Sequence, residues 1–104
     1  MSDTDASAEA RFHAAMLESY RMAQRDLSYN ATRFLQLVEA RGGVQAARQL
    51  LAGAPSEGFA TLWEKGRLDL SVEAHILQPE FRELFTEAER RVAEDRLRQF
   101  GHEL

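Results

Sequence analysis

Residues 86–101 read TEAERRVAEDRLRQFG, and this stretch carries the clearest structural signals in the chain. Thr86 and Glu89 form a T-x-x-E capping box, in which each side chain satisfies the other residue's backbone N–H. Ala88, Val92, Ala93, Leu97 and Phe100 recur at helical spacing and are expected to face a core. Gly101 is the stop, because glycine accepts the turn beyond a helix C-terminus. Arg90, Arg91, Arg96 and Arg98 alternate with Glu87, Glu89, Glu94 and Asp95 on the face expected to be exposed. The stretch reads as a helix with both ends marked.

Working outward, the same period recurs almost everywhere. Pro79 opens a one-turn helix carrying Phe81, Leu84 and Phe85. Asp69 or Ser71 is expected to cap a helix whose buried pair is Ile76 and Leu77. The alternation at Leu68, Leu70 and Val72 is read as a loop, because a lone strand would leave its backbone groups unpaired. Ser56 caps a short helix with Glu57 in its first turn and Phe59, Leu62 and Trp63 inward. Gly53-Ala54-Pro55 separates it from a helix spanning Val44 to Leu51. Gly42-Gly43 closes a preceding helix, for which Asn30 is the expected N-cap and Tyr29 with Phe34 the expected hydrophobic staple. Ala31, Phe34, Leu35 and Val38 form its inward stripe. The first helix is expected from about Ala8 to Leu27, with Phe12, Met16, Tyr20, Ala23 and Leu27 on one stripe.

Composition agrees. The chain has 104 residues, a formal net charge of −4, 44% hydrophobic and 29% charged residues, and no cysteine. That is one domain's worth of ordinary globular protein, with no disulfide, no thiolate metal site and no cysteine nucleophile. β-Branched residues are scarce, and good helix formers dominate. The expected fold is all-α: a single compact domain over 9–101, about six helices, with the long N-terminal helix packed on a bundle of short ones. Residues 1–8 read as a flexible polar N-terminus, and 102–104 as a C-terminal tail. The start lacks the basic and apolar parts of a signal peptide, and no run is long enough to span a membrane, so the expected location is cytoplasmic. Twelve arginines stand against the single Lys65, which reads as genome composition more readily than as a recognition device.

Chemistry is sparse. His13, His75 and His102 are far apart, and Glu9 with His13 is a surface i,i+4 contact, so no metal site and no cofactor are expected. Ser56, Ser71 and Thr86 are explained as caps, and no G-x-S-x-G is present, so no catalytic residue is assigned and no enzyme is expected. The glycines match no phosphate-binding loop. Carboxylate pairs such as Glu80 and Glu83 lie on arginine-rich, solvated faces. The segment 44–65 imitates a helix-turn-helix, but its second helix carries Glu57 and Glu64 with only Lys65 as a base, and the domain is acidic.

The run from Tyr29 to Phe100 carries YNATRFL, a GG pair, LWEKGRLDLSVEA, PEF and LFT in order. It resembles a group of small, uncharacterised bacterial helical proteins, some of which stand beside nucleases of bacterial defence. The resemblance implies a helical module and possible defence association; it brings no activity, cofactor or catalytic residue. His75 departs from it, standing where an aliphatic residue is expected. Its most specific part holds Arg67 and Asp69, expected either to pair within the turn or to meet a partner.

The expected function is therefore non-enzymatic: protein–protein contact or self-association in an accessory module, with Arg67, Asp69, Arg90 and Arg91 as candidate partner-binding residues. A regulatory nucleic-acid-binding domain using 44–65 is the alternative. A small-molecule site would require His75, Trp63 and Arg67 to share a pocket.

Overall fold

The computed structural model describes the backbone of residues 4–103 and the side chains of residues 8–103. The chain is all-helical and forms one compact globule. The helices are α1 (Thr4–Leu27), α2 (Thr32–Arg41), α3 (Gly43–Ala52), α4 (Glu57–Glu64), α5 (Val72–Ile76) and α6 (Glu87–Gln99). Tighter 3-10 turns occupy Leu68–Leu70 and Pro79–Leu84. The expected lead-in is shorter than the sequence suggests, since α1 begins at Thr4 and not at Ala8. Residues 1–3 of that lead-in and Leu104 of the tail lie outside the described residues.

The caps follow local chemistry. Ser56 Oγ accepts the Phe59 N–H, Ser71 Oγ accepts the Ala74 N–H, and Thr86 with Glu89 closes the complete capping box. Asn30 corrects the expectation for α2. Its Oδ1 accepts from the Tyr20 hydroxyl at 2.6 Å, so the N-cap falls on Ala31, which supplies no side-chain bond. The staple pair separates as well: Tyr29 packs with the second of two core clusters and Phe34 with the first.

The first cluster joins Phe12 and Met16 of α1 to Val38, Ala47, Ile76 and Ala93, closed by Phe81 and Phe85. The Phe12 ring meets both phenylalanines edge-on at 5.1 Å between centroids, an arrangement favoured by the ring quadrupole. The second cluster joins Ala23 to Phe59, Leu62, Leu68, Leu70 and Leu97. Trp63 is not in it. This ring is 48% exposed and touches the edge of Phe100 at 5.7 Å, so the expectation of an inward tryptophan fails. Val92 is also exposed.

α1 crosses α3 at backbone contact distance. An ideal Cβ on Gly43 would lie 2.8 Å from His13 Cα, closer than real Cβ atoms come. At the same crossing His13 Nδ1 accepts the Gly43 N–H at 3.0 Å. His13 is therefore a half-buried cap for α3 rather than half of a surface pair with Glu9, because α3 starts with N–H groups that have no partner in the helix. Gly42, at φ +84, makes the sharp join between α2 and α3.

Gly43→Ala is expected to lower stability by about 1–3 kcal/mol, because the clash is with backbone and no rotamer relieves it. Gly53→Ala, whose Cβ meets nothing within 4 Å, is the control. Urea denaturation of both variants checks this, and equal midpoints would mean that the crossing is looser than described.

Candidate functional site

α1 turns its buried face through Phe12, Met16, Ser19 and Ala23. Ser19 interrupts an apolar stripe, and it does so between the two core clusters. There the walls of α1, α2 and α4 stand apart and enclose a cleft of about 530 Å³. Ala23, Phe34, Leu37, Leu50, Phe59, Leu62 and Val72 make it apolar; Ser19, Ser71 and Glu73 add polar groups. These three are all buried, at 6%, 2% and 4% exposure. Asn30, Thr32, Arg33, Glu57 and Thr61 are among its further polar residues. The volume falls inside the ~300–1,000 Å³ range of ligand sites.

Ser71, Glu73 and Ser19 each have at least one partner. Ser71 Oγ donates to the Leu68 carbonyl and caps α5. Glu73 Oε2 accepts from Arg96 Nη1 at 2.9 Å, with the two side chains only 5% and 11% exposed. Arg96 Nη2 also donates to the Gly53 carbonyl at 2.7 Å. Arg96 was expected on the solvent face of α6; it is instead the buried cation that neutralises Glu73, as a buried carboxylate requires.

Ser19 Oγ is hydrogen-bonded to His75 Nε2, and the Gln78 amide nitrogen lies 3.5 Å from His75 Nδ1. A serine beside an imidazole invites a nucleophilic reading. Either ring nitrogen can carry the proton, and the Ser19 hydroxyl can pair with Nε2 in both tautomers. A general base must take the serine proton, and usually has a carboxylate on its other nitrogen. Here that place belongs to a glutamine. The hydrogen bond gives two buried polar groups a partner in each other.

The expected candidate residues are scattered. Trp63 leans on Phe100, His75 bonds Ser19, and Arg67 grips Asp69 in a two-pronged pair at 3.0 and 3.1 Å. None of the three lines the cleft, so they form no common pocket. The Arg67 hydrogen bond holds the Asp69 carboxyl below its usual range. Arg90 Nη1 donates to the carbonyls of Arg82 and Phe85, tying off the end of the 3-10 turn. Arg91 stays exposed. Within segment 44–65, α3 packs on α1, α2, α5 and α6, while α4 packs on the Leu68–Leu70 turn. The two helices are neighbours in sequence but are held by different partners.

Among the described residues, no group of three or more His, Cys, Asp or Glu is placed to hold a metal ion, and no helix is long and apolar enough to cross a membrane. No protein-family model, curated protein or solved structure matches the chain. The cleft itself was not anticipated. Its signals were the serine inside the α1 stripe and the single acid in LSVEAHIL, both of which polarity alone assigns to solvent.

Burial holds His75 below the ordinary histidine value of 6.5, with the charge of Asp69 opposing. The unfolded chain then binds a proton that the folded chain refuses. This contribution is intact above pH 6.5 and is lost progressively as pH falls from 6.5 through the lower folded value. Melting temperature is expected to drop between about pH 7 and 5 in the wild type, and less steeply in His75→Gln. Parallel profiles for the two proteins would remove His75 as the cause.

Proposed function

We propose that this chain is a non-enzymatic helical interaction module, an accessory part of a bacterial cytoplasmic system, that binds a protein partner through the cleft between α1, α2 and α4. The observation that carries this reading is the cleft: an apolar hollow of about 530 Å³ with a polar rim, on a domain whose other polar clusters are internally matched. A partner helix docks into such a groove by seating apolar side chains from one face.

The arginines support the same choice over nucleic acid. Arg48, Arg67, Arg90 and Arg96 are each bound to acceptors of this chain. Nucleic-acid binding draws on a cationic face whose charges are available to phosphate. Arg67, Asp69 and Arg90 accordingly serve as turn and end fasteners in this reading. Arg91 is exposed and outside the cleft lining, a peripheral charge of the kind that alters association rate more than affinity.

Thr61→Trp is the test, because Thr61 is half-buried on the cleft wall and a larger side chain fills the hollow. A partner captured and identified with the wild-type chain is expected to be lost at least about tenfold with Thr61→Trp and kept with Arg91→Glu. Self-association would appear in light scattering as an oligomer that Thr61→Trp dissociates. A strict monomer with no specific partner overturns the reading. A low-salt DNA mobility shift weakened by Arg91→Glu would favour the nucleic-acid alternative.

A further inference from the structure

Glu73 uses one of its two carboxylate oxygens on Arg96. The other, Oε1, has no partner among the described residues. No fully buried polar side-chain atom is left without one, so Oε1 must reach solvent. The residue is 4% exposed and lines the cleft, and we take the solvent contact of Oε1 to face that cleft. A buried acceptor is thus left free at the bottom of an apolar hollow.

What would satisfy it follows from charge and size. Arg96 already neutralises Glu73, so a lysine or arginine entering the cleft would bring an uncompensated charge into an apolar space. A neutral N–H or O–H adds none. A serine or threonine would supply the donor but leave most of a volume of about 530 Å³ unfilled. Tryptophan and tyrosine supply both: a large apolar body for Phe34, Leu37, Leu50 and Leu62, and one donor at the tip. We infer that the partner's anchor in this cleft is a tryptophan or tyrosine side chain whose N–H or O–H is accepted by Glu73 Oε1. This inference rests on the cleft being the partner site.

Indole and benzothiophene separate the two claims, since they share shape and differ in the N–H donor. Titrated into the full chain and followed by backbone amide shifts, indole is expected to move the signals of Ser19, Leu37 and Glu73. It is expected to bind about tenfold tighter than benzothiophene, the worth of one hydrogen bond to a charged group. In the doubly substituted Glu73→Leu, Arg96→Leu chain the preference is expected to vanish, with binding retained. If that chain fails to fold, the wild-type comparison alone decides. Equal affinity of the two probes overturns the donor inference and leaves the cleft as a docking site. Binding of neither probe at these residues overturns both.

Discussion

Arg96 is the contact on which the arrangement of the core depends. From α6 its guanidinium reaches Glu73 on α5 and the Gly53 carbonyl just past the end of α3. The carbonyls at the end of a helix have no partner of their own, so a planar fork of donors is a natural closure. A buried ion pair is seldom a net gain over a well-packed apolar pair, but leaving one member alone costs about 3–5 kcal/mol. Its effect is therefore selective. Packings of α3, α5 and α6 that separate the two charges are penalised, and the one that remains sets Glu73 into the cleft floor. The same placement of α5 brings His75 against Ser19, so the α1 stripe can carry a polar residue without leaving it unsatisfied.

What could be read from the sequence, and what could not, divides along the range of the interaction. Ser56, Ser71 and the Thr86–Glu89 box act on N–H groups three positions away, and each stands where its motif places it. Gly42 is equally local. The polar interior was illegible for the opposite reason. Ser19 and His75 are 56 residues apart, and nothing near either one announces the other. A helical period sorts residues by polarity, so it sends Arg96, Glu73 and His13 to solvent. Each is drawn inward by a partner on another helix. Asn30 shows the competition directly: its side chain is an adequate cap, but the Tyr20 hydroxyl claims the oxygen. Trp63 errs the other way, since its neighbours Phe59 and Leu62 fill the core and leave the indole only the edge of Phe100.

The arginine-rich composition also acquires a structural component. Arg48 bonds Glu89 at 2.9 Å and the Leu84 carbonyl at 3.0 Å while lying over the Phe85 ring. Arg90 makes both of its bonds from Nη1 alone, but Arg67 and Arg96 likewise engage acceptors through different nitrogens. These are fork geometries, with donors fixed in one plane, and a lysine ammonium does not reproduce them. Whatever the codon preference behind twelve arginines, Arg48, Arg67 and Arg96 use what distinguishes arginine from lysine.

A cleft beside a small core is a cost that the sequence had simple means to avoid. Ala23, Ala31 and Gly58 line it, and a larger apolar residue at one of them would fill space that now holds no side chain. Gly58 has room for a Cβ, with the nearest atom, the Tyr29 hydroxyl oxygen, at 3.5 Å. Unfilled apolar volume lowers stability, and cavity-filling substitutions are among the easier ways to raise it. The chain instead keeps small residues on the walls, polar groups on the floor and an ion pair with one oxygen to spare. Selection for stability alone does not lead to that combination. An occupant that supplies apolar surface and one hydrogen-bond donor would recover both losses at once, and this is the physical reason for reading the hollow as a site.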